Sequence, residues 1–246
     1  MLQTHTLYNG KEVVKFDDER HIFYDPKGKT LISVTGATGV VDKSGALMGW
    51  AIKLMGLYLI QNWDIKKVKI ESDKILLIDL AKKEYRKVKE AAADIGTEIH
   101  DWISHWIKDN KLEMPEDEKV VNGITAFLKF QKEHKIKWLE SEIVVYSKKY
   151  HYAGILDAIG EMDGKLTLFD FKSSSGVYPE MYFQVAGYQI AREEETKKKF
   201  DNRVIVRFGK EDGEFEVVDL GKDGEDKKAF LACLQLKKRL DQIKHK

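Results

Sequence analysis

Residues 154–176, GILDAIGEMDGKLTLFDFKSSSG, decide the fold of this chain. Two apolar runs flank Asp163-Gly164, and Asp-Gly is the preferred pair for a two-residue type I′ hairpin turn. Counting outward from that turn places Asp157 directly opposite Asp170 on one face of the sheet. Lys172 follows on the same strand as Asp170 and projects from that same face. The sequence therefore predicts two carboxylates and an ammonium group in the middle of a buried sheet.

This predicted cluster needs a compensating charge, because like charges directly opposite each other destabilise a sheet. The neighbours Ile155, Ile159 and Leu168 are apolar, so water cannot easily screen the two carboxylates. A divalent cation would compensate them, since Mg²⁺ takes carboxylate oxygens together with waters and a substrate phosphate. The alternative is a solvated hairpin face in which Asp and Lys pair across the strands, and spacing alone leaves that alternative open.

Patterns on both sides of the hairpin predict a mixed α/β fold. Short strand-like runs separated by Gly, Asp and Pro predict small hairpins over 5–34. Helical periodicity covers 44–62, 72–108, 116–135, 178–196 and 225–244. Strand-like runs cover 138–147, 152–161, 165–172, 203–209 and 214–220. We expect one domain, 1–246, with a central mixed sheet flanked by helices, an N-terminal β/helical subregion over 1–90 and a catalytic core over 91–246.

Composition excludes several classes of protein. The 246 residues carry a net charge of +1, so overall charge argues neither for nor against nucleic acid. The single cysteine, Cys233, can form neither an internal disulfide nor a Cys-rich zinc or iron–sulfur site. The N-terminus lacks an apolar segment, so no signal peptide is expected. The most apolar stretch, 48–60, contains Lys53 and is too short to cross a bilayer. We expect a soluble, cytoplasmic protein without a membrane partner.

Five sequence elements in a fixed order carry a resemblance to a nuclease family. Gly96-Thr97-Glu98-Ile99-His100 comes first, Gly154-x-x-Asp157 and Asp170-Phe171-Lys172 follow, and Gln184-x-x-x-Tyr188 comes last. This pattern resembles the PD-(D/E)xK nucleases, and most closely their RecB-type exonuclease branch, which includes phage exonucleases and the mitochondrial genome maintenance exonuclease. The resemblance covers roughly 90–195 and implies a core like that of restriction endonucleases.

The resemblance implies a metal site built on the hairpin. One or two Mg²⁺ or Mn²⁺ ions are expected there, and the implied ligands are His100, Asp157, Asp170 and the carbonyl of Phe171. Lys172 would orient the attacking water or help to deprotonate it, and would stabilise the developing charge. His100 lies at the edge of an apolar helical stripe, and imidazole suits Mn²⁺ as well as Mg²⁺. The alternative for an isolated histidine is a half-buried side chain with no ligand.

Glu142 is a further candidate for the catalytic set. It lies on the strand before the hairpin, but the intervening loop leaves the register of that strand open. Glu142 could be an outer metal ligand, could orient Lys172, or could face solvent.

Two further segments are candidates for nucleic-acid contacts. Gln184 and Tyr188 are four apart and share one helix face, where an amide beside a phenol can hold a phosphate or a base edge. The resemblance implies that this pair supports the active site and contacts DNA. Ser173 and Ser174 begin a polar loop that suits a phosphate. The alternatives are an ordinary polar stripe and an ordinary polar loop.

Aromatic residues interleaved with lysines in the N-terminal half can form a groove for single-stranded DNA. The residues are Trp50, Tyr58, Trp63, Lys66, Lys67 and Lys69. The alternative is that the aromatic side chains belong to a core and the lysines are solvated.

The resemblance implies a metal-dependent DNA exonuclease that hydrolyses phosphodiester bonds from DNA ends and leaves 5′-phosphate products. Its expected setting is recombination, repair or replication, including that of a phage, with a single-strand annealing protein or a helicase as a separate partner. The alternatives are a structure-specific endonuclease on the same fold and a DNA-binding module without catalysis. The presence of Asp157, Asp170 and Lys172 argues against the last, because a binding module needs none of them.

Overall fold

The computed structural model describes residues 1–64, 68, 70–109, 112–222 and 224–244. The strands are β1 (Leu2–Leu7), β2 (Glu12–Asp17), β3 (Ile22–Tyr24), β4 (Thr30–Ser33), β5 (Lys137–Ser147), β6 (Tyr152–Met162), β7 (Lys165–Lys172), β8 (Asn202–Phe208) and β9 (Phe215–Asp219). The helices are α1 (Val34–Thr38), α2 (Ser44–Asn62), α3 (Glu71–Asp109), α4 (Glu118–His134), α5 (Pro179–Thr196) and α6 (Glu225–Lys244).

The chain divides into two compact units. The main unit contains 1–41 and 98–246, and the second unit contains 42–97. The N-terminal strands belong to the main unit because β4 pairs in parallel with β6, through Ile32 with Tyr152. The sequence-based grouping of 1–90 differs from this division, since a sequence pattern cannot show which distant strand a short β-run will join.

The main unit is built on one mixed sheet. The strand order is β1-β2-β3-β4-β6-β7-β8-β9, and β5 pairs with β6 outside this order. Strands β5, β6 and β7 form an antiparallel meander, whereas β7 and β8 are parallel and are connected through α5. The predicted α/β class, a mixed central sheet flanked by helices, is confirmed.

Helices cover the sheet because its central strands are apolar on both faces. On one side Leu156 and Leu168 pack in a cluster with Val185 of α5. On the other side the α4 ring of Phe127 lies 6.1 Å from that of Phe171 and 5.8 Å from that of Phe208. Alternate residues of a strand point to opposite faces, which explains how β7 serves both layers. A charged side chain on β7 is therefore placed in an apolar setting.

The hairpin turn has the predicted form. Asp163 and Gly164 have φ values of 52° and 73°, as a type I′ turn requires. The β6–β7 pairs run from Met162 with Lys165 to Ala158 with Phe169, which is the register predicted from the turn. The next step along both strands brings Asp157 and Asp170 together.

A gap opens in the sheet beside Asp157. Strand β4 pairs with Tyr152 and Ala153 of β6, and β7 pairs with β6 from Ala158 onward. Both strands use the edge of β6 that faces away from β5, because β5 pairs with β6 along its whole length. Among the described residues, 154–157 have no backbone ladder partner on that edge. Asp157 thus lies where two strands diverge.

The second unit contains α2 and the first part of α3. The ring of Trp50 on α2 lies 5.2 Å from that of Tyr85 on α3. Trp50 and Trp63 are exposed, at 36% and 51%. The lysines of the predicted single-strand groove, Lys66, Lys67 and Lys69, lie outside the described residues. Within the described part of the chain, a search of the helices finds none that is long and apolar enough to cross a membrane.

Candidate active site

Asp157 is held at the edge of the gap by a backbone contact. Its Oδ2 accepts a hydrogen bond of 2.7 Å from the Phe171 N–H, in place of the next rung of the β6–β7 ladder. Its Oδ1 lies 3.7 Å from Nδ1 of His100, on α3. The N–H and C=O of a strand residue point to the same edge. The Phe171 carbonyl therefore also points to the edge of β7 that faces Asp157, as its predicted role requires.

Asp170 is the most deeply buried charge of the site, with 0% exposure. Its Oδ1 accepts a 3.4 Å hydrogen bond from Nε2 of Gln184. Its Oδ2 lies 2.5 Å from the ammonium of Lys172 as an ion pair, yet it accepts no hydrogen bond of regular geometry from any described residue. A buried carboxylate oxygen of this kind keeps capacity for another ligand.

The site drives the pKa values of its two aspartates apart. Burial, together with the charge of Asp157, raises the pKa of Asp170 to about 6, against the opposing effect of Lys172. Burial also favours a higher pKa for Asp157, but His100, Lys172 and the Phe171 N–H outweigh it and lower that pKa. Environments that separate the pKa values of paired carboxyl groups are typical of sites that handle protons or charge.

Lys172 and His100 are both stabilised in their charged forms. Burial would lower the pKa of Lys172, but Asp170 and Asp157 raise it above its ordinary value. Burial would likewise lower the pKa of His100, and Asp157 raises it. Lys172 is therefore a firmly held ammonium in this structure.

Gln184 and Tyr188 come together as predicted, but only one of them touches the carboxylates. Nε2 of Gln184 also donates to the Tyr188 hydroxyl, 2.9 Å away. Tyr188 is only 4% exposed, and burial raises its pKa well above the usual range. The predicted contact between Tyr188 and nucleic acid does not fit this burial. Tyr188 instead positions Gln184 against Asp170.

Gly154 makes room for this arrangement. A Cβ atom at Gly154 would lie 2.8 Å from Cε1 of Tyr188 and 2.9 Å from Cγ2 of Val34. Such distances are shorter than packed carbon atoms tolerate. The glycine of the Gly-x-x-Asp motif is thus required by the close approach of the Tyr188 ring.

Glu142 faces Asp157 across the β5–β6 ladder. The pairs on either side of it are Ser141 with Ala158 and Ile143 with Leu156. Glu142 has a φ of 52°, an uncommon conformation for a residue other than glycine. The side chain of Glu142 is exposed, in agreement with the solvent-facing alternative, although partial desolvation and the charge of Asp157 raise its pKa. Glu142 therefore borders the site from the surface, in a strained conformation of the kind that clusters at functional sites.

A narrow cleft, with no room for a water molecule in this structure, lies between these groups. Its lining residues are His100, Ile103, Ser104, Glu142, Asp157 and Phe171. Sequence reasoning missed Ser104, although it stands four residues after His100 and so shares its helix face. The Ser104 hydroxyl donates to the carbonyl of Asp101, 3.0 Å away.

The serine loop follows β7 directly and is partly organised by its own hydrogen bonds. Ser173 and Ser174 are half-buried, and the Ser174 hydroxyl donates to the Gly176 carbonyl at 2.8 Å. The Ser175 and Tyr178 hydroxyls are 2.9 Å apart. The loop thus adjoins Lys172, but the Ser174 hydroxyl already serves the loop itself.

The donor chemistry of the site fits a hard divalent cation. Its oxygens come from Asp157, Asp170, Glu142 and the Phe171 carbonyl, and Mg²⁺ and Mn²⁺ prefer such ligands. Across the residues that the structure describes, however, no three His, Cys, Asp or Glu side chains are close enough to form a ready metal cluster. In this structure Asp157 is held by Phe171 and His100 while Asp170 is held by Lys172. The fit therefore rests on the donor types and on the buried Asp170 oxygen.

Comparisons with known proteins do not establish a family. No protein-family model matches the chain, and no curated protein matches it. Among the solved structures, 18 chains match, and one of these is the crystal structure of SSO0001. It is 11% identical, the alignment covers 80% of this chain and 87% of that chain, and the TM-score is 0.33. A TM-score this low carries no argument, so the site is interpreted from its own geometry.

Proposed function

We propose that this chain is a Mg²⁺- or Mn²⁺-dependent deoxyribonuclease of the PD-(D/E)xK type, acting on DNA ends as an exonuclease. The observation that carries the proposal is the cluster of Asp157, Asp170 and Lys172 at the gap in the sheet. Two carboxylates from adjacent strands converge there, and one of them is completely buried with an oxygen that accepts no regular hydrogen bond from the described residues.

A purely structural role explains this cluster poorly. Buried ion pairs are often no more stabilising than apolar residues of the same size, because desolvation is costly. Here the ammonium of Lys172 compensates the buried Asp170 only in part, since the pKa of Asp170 stays raised to about 6 beside it. A divalent cation shared with Asp157 would supply the remaining compensation.

Each residue has a role in this proposal. A bound Mg²⁺ or Mn²⁺, held by Asp157, Asp170 and the Phe171 carbonyl, would supply an activated water and neutralise phosphate charge. Gln184 fixes Asp170, and Tyr188 fixes Gln184. The raised pKa of Lys172 favours an electrostatic role over that of a base: its ammonium would pair with a phosphate oxygen as negative charge develops. In-line attack with departure of the 3′ oxygen would leave a 5′-phosphate.

Action at ends rather than within strands rests on the resemblance of the motifs. From the same resemblance we expect a cytoplasmic setting in recombination, repair or replication, including that of a phage, and an annealing protein or a helicase as a separate partner. The endonuclease and the inactive DNA-binding module are the competing functions, and one experiment separates all three.

That experiment follows the fate of linear and circular DNA, single- and double-stranded, with a label at either end and with Mg²⁺, Mn²⁺ or EDTA. We expect metal-dependent loss of linear DNA alone, and the label released first gives the polarity. Asp170→Asn should abolish cleavage, whereas the matched control Asp163→Asn, which suits the same hairpin turn, should not. Nicking of circles would favour the endonuclease. DNA binding without cleavage under every condition would leave the binding module.

A further inference from the structure

Helix α3 carries a row of cations in its first half, within the second unit. The five residues are Lys82, Lys83, Arg86, Lys87 and Lys89, and every one of them is exposed. At 100° per residue they fall on one side of the helix. The opposite side carries Leu77, Ala81, Tyr85 and Val88, of which Leu77 and Ala81 are buried. We call these five residues the basic face of α3.

The basic face is not neutralised by neighbouring acids. Lys82 pairs with Asp79 at 3.2 Å, but the other four cations form no ion pair with any described residue. Three acids, Asp79, Glu84 and Glu90, lie in the same stretch of the helix, so residues 79–90 carry an excess of two positive charges. The whole chain carries only +1, so positive charge is concentrated here.

The arrangement differs from an ordinary solvated helix surface. Lys82 with Arg86, and Lys83 with Lys87, are like charges four residues apart, a spacing that destabilises a helix. Some surface lysines elsewhere in the chain do have acid partners, such as Lys119 with Glu211 at 2.6 Å and Lys129 with Glu214 at 2.5 Å. A helix that keeps unpaired like charges side by side is suited to a polyanionic partner.

We propose that the basic face of α3 binds the phosphate backbone of DNA at a position outside the catalytic site. This inference rests on the proposed nuclease function and adds a second, sequence-independent contact to it. The face runs from 82 to 89, about 10 Å along the helix at 1.5 Å per residue. Phosphates of one strand rise by about 3.4 Å each, so about three of them match this length.

The test uses the full chain carrying Asp170→Asn in EDTA, so that DNA binds without being cut. Binding of a fluorescein-labelled single-stranded oligonucleotide is measured by anisotropy from about 50 to 200 mM salt. The test variant adds Lys83→Gln, Arg86→Gln and Lys87→Gln. The matched control adds Arg20→Gln, Lys27→Gln and Lys132→Gln, which removes the same three charges from exposed positions elsewhere.

Three phosphate contacts predict that the slope of log affinity against log salt concentration falls by about 2 in the test variant. Affinity at about 0.1 M salt should then fall roughly 100-fold, and the control should keep the parent's slope. Circular dichroism checks that the helix is retained, which is expected because Gln is a good helix former.

The outcomes separate this inference from the function on which it rests. If the wild type binds and cuts DNA but the test and control variants show equal slopes of log affinity against log salt concentration, the proposed role of the basic face is wrong. The nuclease proposal would then stand. The same variants are also measured with fluorescein-labelled polyglutamate. A test variant that loses polyglutamate binding but keeps DNA binding would overturn the proposal in favour of an acidic protein partner. No cleavage by the wild type, with DNA binding that still depends on the basic face, would overturn the catalytic proposal alone.

Discussion

Asp170→Asn should make the metal-free protein more stable while it abolishes cleavage. Asp170 is 0% exposed, and its pKa in the folded state is about 6, against 3.8 as the ordinary value. Each pKa unit corresponds to 1.36 kcal/mol, so holding this carboxylate ionised in the folded protein costs about 3 kcal/mol. Asparagine has nearly the shape of the neutral acid and cannot ionise. The substitution should therefore recover about 3 kcal/mol of unfolding free energy at pH 7.

The pH dependence fixes the sign of this effect. Between pH 3.8 and about 6 the folded state binds more protons at Asp170 than the unfolded state does, so the wild type loses stability as the pH rises. The variant does not titrate at this position. The difference between the two proteins should be near zero below pH 3.8, grow through that interval and stay constant above about pH 6.

Urea unfolding in EDTA at several pH values measures this difference, with Asp163→Asn as the control in the same hairpin. Adding Mg²⁺ or Mn²⁺ should then stabilise the wild type, by about 2.7 kcal/mol at a hundred times the dissociation constant, and leave Asp170→Asn unchanged. A variant less stable than the wild type at pH 7, or a difference that does not vary with pH, would refute the reasoning about Asp170. A metal effect of equal size in both proteins would refute the metal site.

Three further predictions concern neighbouring features. Glu142→Asn should raise the free energy of unfolding by about 1 kcal/mol, because asparagine tolerates the left-handed conformation, and it should weaken cleavage. The control Lys135→Asn, at a φ of 48°, relieves the same kind of strain away from the site and should leave cleavage unchanged. Urea unfolding and a nuclease assay measure the two effects. Gly154→Ala should destabilise the protein by about 1–3 kcal/mol, because its Cβ would press on the Tyr188 ring, and a stability equal to that of the wild type in urea would count against this packing. Burial would raise the pKa of Glu193, but its contacts with Lys199, Gln189 and the Phe200 N–H lower it. The ionised Glu193 therefore stabilises the folded protein above pH 4.5, and this contribution is lost as the pH falls through the folded-state pKa. Glu193→Gln should therefore be about 1 kcal/mol less stable at pH 7 and should approach the wild type in acid, and a difference independent of pH would contradict this.

The hairpin could be predicted from sequence because its information is local. Asp163 and Gly164 determine the turn, the turn determines the register, and the register brings Asp157 to Asp170. The same holds for Gln184 and Tyr188, which meet because they are one helical turn apart. In each case a few residues close together in the sequence suffice for the prediction.

Glu142 could not be placed in this way, because the loop between β5 and β6 carries no turn signal that fixes how the two strands pair. The structure pairs them in one register from Ser147 with Tyr152 to Glu140 with Ile159, which brings Glu142 opposite Asp157. A shift of one residue in that register would have placed Glu142 on the other face of the strand. The burial of Tyr188 could not be predicted from the sequence either, because it depends on Val34 and Gly154, which approach from distant parts of the chain.

The gap in the sheet explains why two aspartates so close together behave differently. Asp157 stands at the point where β4 and β7 part, with 17% of its side chain exposed and His100 beside it, so its charge is supported. Asp170 lies one strand further in, where Lys172 only partly offsets the loss of water. The depth at which each carboxylate is buried thus sets the direction of its pKa shift. Because β4 joins β6 from the N-terminal region, residues far from the motif create the difference between the two pKa shifts. The sequence of the hairpin alone would therefore not have predicted it.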